Sequence, residues 1–373
     1  MKTLCNFLIF LLIFGCSSNN KHEDKKVHIY SSDGVKNAFD VADNTITTQS
    51  DYTKKIKLNK SDSIMFFSNG KDTLNILQMM TIDSDSNRIF GFMRSEKLFV
   101  CFNSTNLYSS SFPTYSVLKK DGQGPNDVVR PIDMVYDRIR NRIYIADLVA
   151  YAIYIYDTKF NEIDRIKLQI KPYRLSLGND FLYVSPYNKS GNHCRIKINL
   201  KTKVVETDIK LSGLNDGLAK SMRNRLLITA INDSSFFAVR QYPSFNIFKV
   251  TDNNIEGVFC DPVISKYKLP VPQEKMIDGD LRSWAIKPYI CISYEKNDKL
   301  LFTLTTLGWS ELVQQNNIKQ TIVVYDDNGH SLGRYILSDQ NADERSTIAY
   351  DSKLKLLYYT CENYVMKFKL KEN

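Results

Sequence analysis

The alternation of apolar and polar positions makes this chain β-rich almost throughout. Ile143-Tyr144-Ile145-Ala146, Ala152 to Tyr156, Thr321 to Tyr325 and Tyr364 to Phe368 are short runs of β-branched and aromatic residues, the composition that suits a pleated, half-buried surface. Only Gly213 to Leu227 has a spacing compatible with a helix. A polar turn followed by an apolar strand recurs six times: Asn87 to Phe90, Asn141 to Tyr144, Asn179 to Tyr183, Asp233 to Phe237, Asp298 to Phe302 and Lys355 to Tyr358. Each is followed by a further strand: Leu98 to Phe102, Ala152 to Tyr156, Cys194 to Ile198, Phe245 to Val250, Thr321 to Tyr325 and Tyr364 to Phe368.

With an inner strand ahead of each turn, such as Ile132 to Tyr136, and an outer strand behind, such as Ile163 to Leu168 or Ser331 to Leu337, each unit holds four strands. One small sheet cannot bury both of its faces, so such units stack radially on one another. The pattern predicts an all-β, six-bladed β-propeller of four-stranded antiparallel blades. A pair of β-sandwiches would explain the strands but not their sixfold recurrence. The chain ends one strand short of a complete sixth unit. The missing outer strand is expected from the N-terminal side, at Tyr52 to Leu58 or Ser63 to Ser68.

Before the repeats lies a segment of another kind. Lys2 precedes an apolar stretch from Leu4 to Phe14, too short for the roughly 20 apolar residues that span a bilayer and of the length of a signal-peptide core. Gly15-Cys16-Ser17-Ser18 then places a small residue and a thiol at the cleavage point, an arrangement that resembles a bacterial lipobox, with Phe14 where a smaller residue is commoner. Residues 1–15 are therefore expected to be a signal peptide and Cys16 to be the lipid attachment site. Residues 16–44 are expected to form a polar tether, least structured from Ser17 to about Lys26, and 45–373 the propeller. Two or three acyl chains on Cys16 suffice for stable anchoring. The expected address is the cell envelope, most readily the outer membrane, with membrane lipid as the first partner.

The net charge of +9 is spread among interspersed acids without a block of like charge, which argues against nucleic acid. Of seven cysteines, five would remain beyond the tether: Cys101, Cys194, Cys260, Cys291 and Cys361. Their odd number and the lack of a close pair point to buried strand thiols rather than to a disulfide framework or zinc site, with one bridge left open.

Asp121-Gly122-Gln123-Gly124-Pro125-Asn126-Asp127 leads through Arg130-Pro131-Ile132 into Arg142 to Asp147 and Ile153 to Asp157. This stretch resembles an NHL-type propeller repeat. With the lipobox in front, residues 45 to 373 resemble the TolB-like six-bladed β-propeller lipoproteins of the Bacteroidota. The resemblance implies an architecture and an address, and little chemistry.

The residues offer no catalytic motif. His22, His28, His193 and His330 stand in no HExxH, GxSxG or P-loop pattern, and no calcium loop occurs. Asp133, Asp137, Asp147 and Asp157 read as turn-capping acids. No catalytic residue, metal or cofactor is expected. A propeller's axis does suggest a ligand site. Arg130, Arg174, Arg225, Lys287 and Arg345 each stand at the opening of an inner strand, and five cations around one funnel would attract an anion. Trp309 on the longest inter-strand loop could stack on a sugar ring. The sequence thus suggests a monomeric, non-enzymatic propeller that binds an anionic glycan, a peptide or an envelope protein. The alternative is a glycan- or peptide-processing enzyme with its site in the funnel.

Overall fold

The computed structural model describes residues 27–28, 39, 55–65, 77–94, 96–104, 115–120, 127–187, 193–210, 225–242, 244–252, 254–267, 269, 273–277, 280–284, 287–307, 320–337, 346–360 and 364–373. Six four-stranded antiparallel sheets dominate them, and each is followed from its first, innermost strand outward. Blade 1 comprises Leu77–Asp83, Arg88–Met93, Leu98–Asn103 and Tyr115–Lys120. Blade 2 comprises Pro131–Asp137, Arg142–Asp147, Ala152–Asp157 and Glu162–Lys167. Blade 3 comprises Pro172–Leu177, Phe181–Pro186, His193–Asn199 and Val205–Lys210. Blade 4 comprises Leu226–Ala230, Ser235–Arg240, Ile247–Thr251 and Asn254–Phe259. Blade 5 comprises Lys287–Glu295, Leu300–Leu307, Thr321–Tyr325 and Ser331–Ile336. Blade 6 comprises Ile348–Asp351, Leu356–Thr360 and Tyr364–Glu372, completed by Ile56–Met65 from the other end of the chain.

The first strands touch in a closed cycle, blade 1 to 2 and onward to blade 6, which returns to blade 1. This is a six-bladed β-propeller, as the sixfold recurrence predicts. The two candidates for the closing strand merge into one. Ile56 pairs with Glu372 and Met65 with Tyr364, with a register shift between Lys60 and Asp62.

The polar turns of the repeat have a stereochemical origin. Asn87, Asn141, Lys299 and Lys355, each just before a second strand, have φ between 52° and 54°. Asparagine enters this left-handed region more readily than most residues, and the lysines bear its cost on exposed turns. The acid at the head of the turn caps it. Asp83 accepts the amide of Ser86, Asp137 that of Arg140, and Asp351 those of Lys353 and Leu354. Asp147 and Asp157 do the same after second and third strands, as expected of them, whereas Asp133, also expected to cap a turn, lies inside the first strand of blade 2 and accepts an amide of blade 3.

Apolar side chains lie between neighbouring sheets. Phe90, Phe99, Tyr154 and Tyr156 join blades 1 and 2, and Phe302, Val324, Tyr359 and Phe368 join blades 5 and 6. Fully burying one such side chain contributes about 1.5–3 kcal/mol, so these interfaces rather than any single sheet hold the ring. Cys101, Cys260 and Cys291 are free thiols.

Several features among the described residues lie outside the repeat. Gln273–Ile277 and Asp280–Trp284 form a hairpin between blades 4 and 5. Within the stretch expected as tether, Val27–His28 adds a fifth strand to blade 4 by pairing with Ile255 and Asn254, and Phe39 is wholly buried against blades 3 and 4. The helical spacing over Gly213 to Leu227 is not realised at its end, where Leu226 and Leu227 begin a strand; residues 213–224 lie outside the described residues.

Candidate functional site

The first strands enclose an axial cavity of about 190 Å³ to which all six blades contribute. Its shape begins with a repeated irregularity. In blades 1, 2, 3 and 5 the pairing of the first two strands slips near the opening, just before Met79, Asp133, Arg174 and Cys291. A bulge bends a strand and re-aims the following side chain. Asp133, Arg174 and Cys291 line the cavity in consequence.

Polar side chains along the first strands then join each blade to the next. Thr81 Oγ1 accepts the amide of Tyr136 (3.1 Å), Asp133 Oδ2 that of Leu175 (2.7 Å), Ser176 Oγ that of Ala230 (2.6 Å) and Thr229 Oγ1 that of Tyr294 (2.9 Å). Four of the six blade junctions thus carry the same kind of bond. Burial pushes the Cys291 thiol up to about 12, so it stays protonated at neutral pH.

Arg174 lies across the axis. Its Nη1 stands 3.6 Å from Asp133 Oδ1 of blade 2, and its Nη2 donates to the carbonyls of Ile290 on blade 5 (3.4 Å) and Ser346 at the entrance to blade 6 (3.3 Å). Only 6% of the residue is exposed. Burial raises the Asp133 pKa, against the opposing pull of the Arg174 guanidinium and the Leu175 amide.

Toward the turns that end the first strands, the cavity widens into a mouth of about 570 Å³. Its carboxylates are engaged. Asp83 pairs with Arg88 at 2.8 Å, Asp137 with Arg140 at 3.1 Å, and Asp298 accepts from Tyr350 Oη (2.8 Å) and pairs with Lys355. Other contacts run between blades. Arg140 reaches Asp180 at 2.9 Å, and Asp233 Oδ1 accepts the amides of Asn179, Asp180 and Phe181. Partial desolvation holds the Lys296 ammonium below the usual lysine range, despite Asp233 and Asp137 nearby.

The opposite end carries the strand openings. The carbonyl of Arg130 accepts the amide of Leu148, that of Lys171 the amide of Tyr187, and that of Arg225 the amide of Gln241. Arg130, Lys171 and Arg225 are therefore equivalent positions on blades 2, 3 and 4. The expectation that Arg174 opens its strand is corrected: that strand opens at Pro172, and Arg174 lies beyond the bulge on the axis. Lys171 carries the same signal in the sequence, since a cation followed by proline recurs at Arg130-Pro131, Lys171-Pro172 and Lys287-Pro288. Arg130 is exposed. Lys171 Nζ lies 5.4 Å from the Tyr151 ring centre. The Arg225 guanidinium lies 4.7 Å from that of Tyr187 and donates to Gln241 Oε1 at 3.1 Å. Lys287 opens the first strand of blade 5. Arg345, Trp309 and Cys16 lie outside the described residues.

Asp147 organises this rim on blade 2. Fully buried, it accepts the amides of Val129 (2.5 Å) and Arg130 (3.2 Å) through Oδ2, and those of Val149 and Ala150 (both 2.8 Å) through Oδ1. The entry loop and the neighbouring turn are thereby fixed, leaving Val129, Val149 and Tyr151 exposed beside Arg130. His330, at blade 5, lies 2.8 Å from Asp326 through Nδ1. Among the described residues no group of three metal-ligating side chains converges, and no helix is long and apolar enough to cross a membrane.

No family model and no curated protein matches the chain. Among solved structures it is similar to the crystal structure of a member of the DUF4221 family from Bacteroides vulgatus, with 9% sequence identity and a TM-score of 0.54 over 86% of this chain and all of that one. At that identity the likeness is one of fold.

Proposed function

We propose that the protein is an envelope lipoprotein, tethered through Cys16, whose propeller binds an anionic glycan or peptide without turning it over. The observation that carries the non-enzymatic reading is the commitment of the axial groups. Asp133, Arg174, Thr81, Ser176 and Thr229 face the cavity or its mouth, where a propeller enzyme would hold its reacting groups, and each is engaged in joining blades. The Asp133 carboxylate, held by an arginine and a backbone amide, is accounted for as a link between blades 2 and 3. The lipobox-like Gly15-Cys16-Ser17-Ser18 supports the tether.

The test uses the full chain in detergent with a panel of acidic glycans and acidic peptides, reading both retention and cleavage. Retention without new reducing ends or amines is expected. Cleavage that disappears in Asp133→Asn would replace this reading with the enzymatic one. Separately, Cys16→Ser is expected to move the protein from the membrane fraction to the soluble fraction.

A further inference from the structure

We propose that the strand-opening face of blades 2, 3 and 4 is the binding surface, and that its ligand is an acidic polysaccharide lying along the arc Arg130–Lys171–Arg225. The inference rests on the binding-propeller reading and gives it a site and a ligand class.

The three cations occupy the same place in three consecutive blades, as the three matching carbonyl–amide bonds establish. Propeller geometry therefore repeats positive charge at a regular interval along a curve. A ligand with one charged group can satisfy one such position. A polymer carrying a carboxylate or phosphate on every repeat can satisfy all three.

Two of the cations are pre-positioned. Tyr151 lies under the Lys171 ammonium, and Tyr187 under the Arg225 guanidinium, with Tyr173 packed 5.6 Å from Tyr187 and Gln241 holding the guanidinium from the side. A cation over an aromatic face gains about 0.5–1 kcal/mol at an exposed site, enough to bias a flexible side chain toward one position. Ordering before binding lowers the entropy lost on binding. Two acids of these blades are turned elsewhere: the Asp147 carboxylate is buried under four amides, and Asp133 faces Arg174 on the axis.

The surroundings favour a saccharide over a peptide. Val129 (57% exposed), Val149 (50%) and Tyr151 (40%) supply flat apolar surface beside the charges, suited to the C–H faces of pyranose rings. The wide mouth, which could receive a side chain, opens at the opposite end of the first strands. Peptide recognition ordinarily uses such a pocket or an open strand edge.

The experiment measures binding of polygalacturonate, phosphomannan, neutral dextran and poly-glutamate to the full chain in detergent, over a range of salt. Polygalacturonate or phosphomannan is expected to bind with salt-sensitive affinity, and dextran not to bind. Arg130→Glu with Lys171→Glu should weaken that binding roughly tenfold or more, whereas Lys296→Glu at the opposite mouth should leave it within about twofold. Circular dichroism checks that each variant is folded. Three outcomes would overturn the proposal: neither acidic glycan binds, the double reversal leaves affinity unchanged, or poly-glutamate binds as tightly as the glycans. The last of these would leave the broader binding reading standing with a peptide ligand, and cleavage of a glycan would remove that reading while leaving the surface assignment testable by the same variants.

Discussion

At the scale of the residue, the axis is governed by one buried charge pair. Desolvation penalises both members, and the pair persists because Arg174 also donates to two carbonyls while Asp133 accepts an amide. Replacing Arg174 by Met removes the cation that opposes the rise in the Asp133 pKa, so that pKa climbs further above its unfolded value of about 3.9. A carboxylate whose folded pKa is raised contributes stability below its unfolded pKa, and that contribution is lost as pH rises through the folded pKa. The deficit of Arg174→Met relative to wild type should therefore be smaller at pH 4.5 than at pH 7.5, by about 1.4 kcal/mol for each pH unit of further shift within that window. Urea midpoints at the two pH values measure it, and equal deficits would show that removing the guanidinium does not shift the Asp133 titration between pH 4.5 and 7.5. The sequence displays Arg174 as one more cation near a strand start. Its separate fate depends on a bulge two strands wide, and one strand's pattern carries no trace of the partner it slips against.

The individual elements were legible where chemistry is local. All six second strands begin beside a polar turn because the chain must cap, and in four blades enter the left-handed region, before it reverses. The outer strands and the short piece at Val27–His28 are set by their neighbours and give weaker signals. The added strand and the buried Phe39 fall in a stretch whose composition reads as tether, since one aromatic finding a gap between two sheets makes no periodicity. Contact between elements also explains a glycine that no turn requires. A Cβ on Gly333, in the outer strand of blade 5, would stand 2.5 Å from the Ile56 carbonyl oxygen in the outer strand of blade 6. Gly333→Val must push the closing strand aside, with an expected cost of about 1–3 kcal/mol. Amide exchange should quicken over 56–65 more than in blade 2. Gly257→Ala meets nothing nearer than 3.9 Å and serves as control, expected within about 0.5 kcal/mol of wild type.

For the whole molecule, stability depends on closing the ring. The four repeat strands of each of blades 1 to 5 come from a contiguous stretch, but blade 6 draws its outer strand from the other end of the chain, so its pairing closes a loop spanning nearly the entire propeller. Such a contact is entropically expensive to form and costs further whenever the ring opens. The missing fourth strand could be read from sequence because a count of strands came up one short, whereas the register could not, since Ile56 to Met65 has apolar residues only at its two ends and a polar run from Asn59 to Ser63 that fixes no alignment. Asn59 and Lys369 face each other across that pairing, on the side opposite buried Leu58, Phe368 and Leu370. A disulfide between Asn59→Cys and Lys369→Cys would hold the ring shut without entering the core. Cross-linking a loop of roughly 310 residues restricts the unfolded chain by up to ~5 kcal/mol, less any strain in the folded bridge. The oxidised double variant should accordingly melt several degrees above the same protein after reduction, a larger difference than wild type shows under the same treatment. If oxidation forms the bridge and the melting temperature does not move, restricting the loop between these two strands does not stabilise the fold, and the entropy of ring closure is not what limits it.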